Sequence, residues 1–151
     1  FITSKKLGLL NTKFSLVGPH VAAAIPMSMM LIRNAMDEIS DEMIEASIID
    51  GCPRRKVFTK MMLPLTKPAI ATALIFAFMS SWNDYLLPLV MINRADEMTL
   101  TLLPQKFTAF AGVSNVGTIF ASLVLLCVPI FIIYLFAQKY MVAGMAAGTI
   151  K

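Results

Sequence analysis

The segment VGTIFASLVLLCVPIFIIYLFA, from Val116 to Ala137, contains no charged residue. An α-helix rises about 1.5 Å per residue, so about 20 apolar residues cross the hydrocarbon core of a bilayer. The segment is long enough, and we predict a transmembrane helix over 116–137. Pro129 is compatible with this prediction, because neighbouring helices can satisfy a carbonyl group that a proline leaves without a donor.

The composition of the whole chain is typical of a membrane protein. Of its 151 residues, 58% are hydrophobic and only 15% are charged, whereas soluble domains have about 45–50% apolar and about 25% charged residues. The net charge is +4, but the lysines and arginines do not form one basic stripe, which argues against a nucleic-acid partner. We therefore predict that membrane lipid surrounds this chain.

Two further apolar segments complete the predicted membrane part. The segment 68–92, PAIATALIFAFMSSWNDYLLPLVMI, is interrupted by Asn83 and Asp84. The segment 15–33 is weaker, because it contains His20 and two prolines and is near the lower length limit for a span. We therefore predict an all-α, polytopic membrane protein with transmembrane helices at 15–33, 68–92 and 116–137.

The orientation follows from the positions of lysine and arginine in the connecting segments. Six of them fall between Arg33 and Lys67, and two, Arg94 and Lys106, fall in 93–115. We predict that 34–67 and the tail 138–151 are cytoplasmic, and that 1–14 and 93–115 are extracytoplasmic. Lys139 and Lys151 agree with this orientation, whereas three lysines in 1–14 oppose it.

The segment 34–67 carries charges of both signs, yet its pattern is that of folded structure. Ser40 is placed to cap a first helix, which has Asp41 and Glu42 in its first turn, where the helix dipole favours acids. Gly51 suits the left-handed position that closes a helix, and Pro53 suits the first turn of a second helix. The pattern predicts a helix–turn–helix element at the membrane surface.

Residues for catalysis or metal binding do not converge in the sequence. His20 is the single histidine and has no cysteine or histidine partner at metal-ligand spacing. A hydrogen-bonded histidine inside the membrane, or one that faces a pore, is favoured over a ligand. Cys52 and Cys127 are expected at different membrane depths and therefore as free thiols. We expect no enzyme activity, no metal and no bound cofactor in this chain.

The spacing in 45–64 resembles the EAA motif of the permease subunits of binding-protein-dependent ABC importers. That motif has Glu-Ala-Ala, three residues, Gly, nine residues and Ile-x-Leu-Pro. This chain has Glu45-Ala46-Ser47, Gly51 and Met61-Met62-Leu63-Pro64 at the same spacing. Ser47 replaces the second alanine and Met61 replaces the isoleucine, while Asp50 beside Gly51 is typical of the family.

Other segments are similar to carbohydrate-type members of this family. The segment 80–91, SSWNDYLLPLVM, is similar to their Trp-Asn-acid segment, with Asp84 where glutamate is more usual. The end of the chain, AQKYMVAGMAAGTIK, is similar to their Phe-Gln-Arg-Tyr-x-x-x-Gly-x-x-x-Gly tail. The resemblance covers essentially the whole chain and implies the last three spans of a six-span permease, with the first three expected upstream.

The resemblance also implies transport of a sugar or sugar derivative, and a set of partners. These are cytoplasmic ABC ATPase subunits that use the ATP, a second and different permease subunit, and an extracytoplasmic solute-binding protein. The implied contact with the ATPase is a short coupling helix, made by Glu45, Ala46, Ser47, Asp50, Gly51, Leu63 and Pro64. Without the motif, an amphipathic loop on the lipid surface would explain the segment as well.

Trp82, Asn83 and Asp84 are candidates for the translocation path, because ionisable groups in a span usually face a bundle interior or a water-filled cavity. The alternative is an interfacial position at the outer end of the span, where tryptophan and tyrosine are ordinary. Gly144 and Gly148 have the spacing of a helix-contact motif and are expected to pack the tail against the ATPase or the partner permease. A frayed terminus is the alternative there.

Three other functions stay open on the sequence alone. A permease of the same family for an amino acid, a peptide or an ion would leave the carbohydrate-type segments unexplained. A carrier or channel without an ATPase predicts more charged or broken-helix sites at mid-membrane. A membrane scaffold or sensor predicts that substitutions at Gly51 are silent.

Overall fold

The computed structural model describes residues 1–109 and 116–147, and within these ranges the chain is helical with no β-strand. A π-helical turn, Phe58–Met62, joins α4 to α5, and a 3-10 turn, Leu100–Leu102, leads into α8. The all-α prediction is confirmed for the described residues. The α-helices are α1 (Ile2–Lys6), α2 (Phe14–Asp37), α3 (Asp41–Ile49), α4 (Arg54–Val57), α5 (Leu63–Leu65), α6 (Lys67–Asn83), α7 (Leu86–Met91), α8 (Leu103–Ala109) and α9 (Val116–Ala147).

The chain forms two compact units. The first contains residues 1–23 together with the described residues of 78–135, and the second contains residues 24–77 together with the described residues from 136 onward. The first unit holds the end of α6, all of α7 and α8, and most of α9. The second unit holds the helix–turn–helix element.

Two helices in the described ranges, Phe14–Asp37 and Val116–Gln138, are long and apolar enough to cross a membrane. A bent pair, Arg54–Leu65 and Lys67–Asn83, makes a third if both parts count as one span. Large apolar side chains on these helices are exposed, as at Val21 and Phe131. Such a surface is unfavourable in water, but in hydrocarbon it is the ordinary state of a membrane helix.

The helix α9 is longer than the sequence predicts. It does not end at residue 137 but continues to Ala147, and it contains Pro129 without interruption. Lys139 marks the predicted edge of the membrane, but a single lysine is a good helix former and does not stop a helix. Gly144 therefore lies on α9, while Gly148 lies outside the described residues.

The segment predicted as one span over 68–92 is two helices, because α6 ends at Asn83 and α7 begins at Leu86. The break has a local cause. Pro88 lacks the amide hydrogen that a continuous helix would donate to the carbonyl of Asp84, four residues earlier. The Thr101 hydroxyl donates to that carbonyl instead, at 3.1 Å.

A second break has the same cause. Pro68 cannot donate to the carbonyl of Pro64, and α6 starts at an angle of 62° to the helical segment 54–65. Thr66 lies at the corner and is fully buried. Its hydroxyl donates to the Leu63 carbonyl at 3.1 Å, so the polar groups of the bend are satisfied locally.

Candidate functional site

The first candidate site is the helix–turn–helix element of the second unit. Ser40 occupies the N-cap position of α3 in extended conformation, but its side chain makes no capping hydrogen bond. The cap is formed by the Ser40 carbonyl, which accepts from the amide of Met43 at 3.1 Å. Asp41 and Glu42 lie in the first turn, as the sequence predicts.

The turn after α3 is a complete Schellman motif. Gly51 has φ +81, the left-handed conformation that the sequence predicts. The Gly51 amide donates to the Ile48 carbonyl at 3.0 Å, and the Cys52 amide donates to the Ser47 carbonyl at 3.1 Å. These are the two bonds that define the motif. Pro53 follows at the N-cap of α4, so the direction of the second helix is fixed as well.

The two halves of the element are joined by a side-chain contact. The Ser47 hydroxyl on α3 lies 3.2 Å from the sulfur of Met61 in the π-helical turn. The same hydroxyl lies 2.9 Å from the Met43 carbonyl within its own helix. Val57, at the end of α4, is buried. The element therefore has a folded interior, which a loop lying loosely on lipid would lack.

The predicted coupling residues are mostly at the surface of this element. Glu45 and Ala46 are exposed on α3, and Asp50 and Gly51 are exposed at the turn. Leu63 and Pro64 are exposed on α5, next to the bend. A partner could contact all six of these residues, whereas Ser47 is partly covered by its contact with Met61.

The second candidate site is in the first unit, at the break between α6 and α7. Asp84 is fixed there by several contacts. One carboxylate oxygen accepts from the Leu87 amide at 3.2 Å, the other lies 3.5 Å from Nε2 of His20, and the backbone carbonyl accepts from Thr101. Asp84 thereby connects α2, α7 and the 3-10 turn.

The position of His20 beside Asp84 is the feature that sequence reasoning missed. His20 lies on α2, 3.5 Å from Asp84, and both side chains are partly buried. Its Nδ1 donates to the Leu16 carbonyl at 2.9 Å, which aims Nε2 at the carboxylate. The available signal was that each is an ionisable residue inside an apolar segment, and such residues tend to pair.

The other two candidates for the translocation path, Trp82 and Asn83, have different surroundings. Trp82 stacks on Phe78, with ring centroids 5.5 Å apart, and its indole Nε1 donates to the Leu126 carbonyl at 3.1 Å. Asn83 is exposed, and its amide group donates back to the Met79 carbonyl at 2.8 Å. Trp82 thus faces the same cavity as Asp84, whereas Asn83 lies on the adjoining side.

Two cavities meet at the His20–Asp84 pair. One of about 330 Å³ is lined by Trp82, Ser81, Thr99 and Thr101 in addition to the pair. The other, of about 400 Å³, is lined by Pro19, Ser80 and Asn83 in addition to the pair. Ligand pockets have volumes of about 300–1,000 Å³, so either cavity is large enough for a small solute.

Side chains that could act as metal ligands do not cluster in the part of the chain that the structure describes. No group of three or more His, Cys, Asp or Glu side chains in those residues could hold a metal ion. Cys52 and Cys127 are free and exposed. The polar groups at the helix break are suited to hydrogen bonding with a solute.

A helical membrane protein with polar residues at a broken helix is typical of solute transporters. The comparison with known proteins agrees with this class and narrows it. Residues 5–147 match the sequence pattern of a protein family, the binding-protein-dependent transport system inner membrane components. The chain belongs to this family, and it is therefore a membrane component.

Several relatives are similar over the full chain. The maltodextrin transport system permease protein MdxG of Bacillus subtilis is 29% identical over 151 residues, which is 100% of this chain and 54% of that protein. The arabinooligosaccharides transport system permease protein AraQ of Halalkalibacterium halodurans is 34% identical over 147 residues, 97% of this chain and 51% of that protein. The diacetylchitobiose uptake system permease protein NgcG of Streptomyces coelicolor is 30% identical over 155 residues, 100% of this chain and 50% of that protein. The chain spans about half the length of the curated relatives it matches.

Proposed function

We propose that this chain is part of a permease subunit of a binding-protein-dependent ABC importer, and that the importer takes up a sugar or sugar derivative. Family membership over residues 5–147 carries this proposal. The sugar is supported by relatives whose names include arabinooligosaccharides and diacetylchitobiose. The chain binds no cofactor of its own, and ATP is hydrolysed by a partner ATPase.

The helix–turn–helix element is the coupling element of this importer. The surface that docks on the ATPase consists of Glu45, Ala46, Asp50 and Gly51. Ser47 stabilises this surface through its contact with Met61. The Schellman turn and the contact between Ser47 and Met61 support this role, because a rigid element transmits a displacement that a flexible loop would absorb. Leu63 and Pro64 carry the movement into α6, which begins at Lys67 and ends at Asn83.

The remaining partners and the orientation follow from the same proposal. A second, different permease subunit completes the path, and an extracytoplasmic binding protein delivers the solute. The segment 34–67 and the C-terminus face the cytoplasm, where the ATPase is located. Gly144 and Gly148 pack the end of the chain against the ATPase or the second permease.

Co-purification and uptake together test the proposal. The complete permease is expressed with its neighbouring transporter subunits as wild type, with Glu45→Lys plus Gly51→Val, and with the control Glu38→Lys. Glu38 is an exposed acid before α3 and outside the proposed contact surface. Uptake of labelled arabinooligosaccharide, diacetylchitobiose and maltodextrin is measured in parallel.

We expect the double variant alone to lose the ATPase and to lose uptake, while Glu38→Lys behaves as wild type. Equal recovery of the ATPase with all three proteins would refute the docking surface. Recovery of the ATPase without uptake of any of the three sugars by the wild type would refute these three sugars as solutes and leave the permease assignment in place.

A further inference from the structure

The cavity of about 330 Å³ lies beside the unwound residues between α6 and α7. Discontinuous helices in transporters commonly carry the solute site, because the break exposes polar groups at membrane depth. Here the break places one carboxylate, one imidazole and several hydroxyl groups around the same space. These groups can bind a solute only if the protein leaves some of their hydrogen-bonding capacity unused.

Asp84 has this remaining capacity. Each carboxylate oxygen has two lone pairs, so the carboxylate can accept about four hydrogen bonds. The protein uses one oxygen for the Leu87 amide and the other for His20. At 3.5 Å the contact with His20 is long for a hydrogen bond. A ligand hydroxyl could therefore bind either oxygen without breaking the cap of α7.

The His20–Asp84 pair brings an imidazole and a carboxyl group together at the wall of the cavity, 3.5 Å apart. Nδ1 of His20 donates to the Leu16 carbonyl, so Nε2 is the ring nitrogen that faces the carboxyl group. Among the described residues that line this cavity, the pair supplies the only ionisable side chains. The cavity therefore lacks a cluster of like charges that would select a cation or an anion, and its hydroxyl groups are suited to a neutral polar ligand.

The remaining walls are suited to a sugar ring. Thr99 and Thr101 share a hydrogen bond of 2.9 Å between their hydroxyl groups, and each hydroxyl has further acceptor capacity. Ser81 adds a third hydroxyl, and the stacked rings of Phe78 and Trp82 supply an apolar wall. Sugars present hydroxyl groups at their edge and C–H groups on their faces, so both kinds of wall are matched.

We infer that this cavity is a binding subsite for a neutral, hydroxyl-rich solute, in which the His20–Asp84 pair binds vicinal hydroxyl groups and Trp82 contacts the ring face. The inference rests on the proposed function as a sugar permease and deepens it. It assigns solute recognition to this subunit itself, and it adds His20 as a recognition residue.

Kinetics of uptake provide the first test, in the complete transporter with the sugar that the wild type takes up. Asp84→Asn, His20→Gln and Ser81→Ala are compared with the control Asp96→Asn, which removes an exposed carboxylate paired with Arg94 outside the cavity. Loss of one hydrogen bond to a charged partner corresponds to about ten-fold in affinity. We expect KM to rise by about ten-fold for Asp84→Asn and His20→Gln, with the ATPase still bound, and to stay unchanged for Asp96→Asn.

Site-directed labelling tests the same subsite without the substitutions at His20 and Asp84, so misfolding of those variants does not affect it. Ser81→Cys is introduced into a background with Cys52→Ser and Cys127→Ser, and its modification by a small maleimide is followed with and without the transported sugar. We expect the sugar to slow labelling of residue 81 and to leave labelling of Asp96→Cys unchanged. Normal uptake with no protection at residue 81 and with unchanged KM in Asp84→Asn would overturn the subsite while the permease proposal stands. Absence of any sugar uptake by the wild type would overturn both.

Discussion

The hydroxyl group of Ser47 lies 3.2 Å from the sulfur of Met61, and these two residues are the positions at which the chain departs from the EAA motif. Considered separately, each departure only keeps a side chain of about the same size as the one that it replaces. Together they form a contact that alanine and isoleucine could not make, because a methyl group neither donates nor accepts a hydrogen bond. The two departures are therefore one structural feature, which joins α3 to the π-helical turn.

Substitutions at Ser47 and Met61 should consequently be non-additive. A hydroxyl contact of this kind contributes about 0.5–1.5 kcal/mol to stability, so Ser47→Ala should lower the melting temperature slightly when Met61 is present. In the Met61→Ile background the same change should have a smaller effect, since only the hydrogen bond to the Met43 carbonyl is then lost. Thermal unfolding of the four proteins in detergent measures this difference. Equal effects of Ser47→Ala in both backgrounds would contradict the coupling.

A side chain at position 51 should be unfavourable because of the backbone conformation of Gly51, and not because space is lacking. A Cβ atom built at Gly51 would meet nothing within 4 Å, but its φ of +81 is strained for residues with a side chain. The left-handed conformation costs such residues roughly 1–2 kcal/mol, and asparagine tolerates it better than most. We expect ATPase recovery to fall in the order Gly51→Asn, Gly51→Ala, Gly51→Val.

Gly18→Ala is the matched control for this series. A Cβ atom at Gly18 also meets nothing within 4 Å, but Gly18 lies within α2 and has no positive φ. Alanine is favoured over glycine in a helix by roughly 0.5–1 kcal/mol, so this change should leave stability equal or higher. A similar loss of ATPase from Gly18→Ala and Gly51→Ala would mean that the turn conformation is not the cause.

The sequence predicted the local features of the helix–turn–helix element, because those depend on residues close together in the chain. The conformation of Gly51 and the acids at the start of α3 are local effects of this kind. The side-chain cap at Ser40 was wrong, since the cap uses the Ser40 carbonyl instead. The break at Asp84 was missed because Asn83 and Asp84 were interpreted as polar residues within one continuous helix, although Pro88 four residues later was a usable signal.

Contacts between distant segments could not be predicted in the same way. His20 and Asp84 are far apart in the sequence, and no periodicity or spacing relates them. Trp82 was predicted only as a candidate for the translocation path or as an interfacial residue. Its hydrogen bond to the Leu126 carbonyl depends on how α6 packs against α9, which a single sequence does not specify.

Trp82 should therefore contribute to stability through its indole N–H as well as its ring. Trp82→Phe retains an aromatic ring that can stack on Phe78, but it leaves the Leu126 carbonyl without this donor. We expect a loss of about 1 kcal/mol, and a larger loss for Trp82→Ala, which also removes the stacked ring. Circular dichroism during thermal unfolding measures both losses. Wild-type stability of Trp82→Phe would show that the hydrogen bond is unimportant.

Asp96 should stay ionised to lower pH than an ordinary aspartate. Its pKa is lowered by a hydrogen bond from its own backbone amide and then by the Arg94 side chain. The stabilisation is therefore present above the unfolded-state pKa and is lost as the pH falls through the lower folded-state pKa. Titration of ¹³C-labelled aspartate carboxyl groups should show a partial rise of this pKa in Arg94→Gln. A complete return to the ordinary value would mean that the backbone bond contributes nothing.

Cys52 should report the orientation of the helix–turn–helix element. Its thiol is free and exposed beside the turn, so a membrane-impermeant maleimide should reach it in inverted vesicles and not in intact cells. Cys127 lies inside the apolar helix α9, where lipid surrounds it and an aqueous reagent does not reach it. Asp96→Cys in a Cys52→Ser background serves as the opposite control, with labelling expected in intact cells. Labelling of Cys52 from outside intact cells would reverse the proposed orientation, and an ATPase in the cytoplasm could then not dock on Glu45 and Gly51.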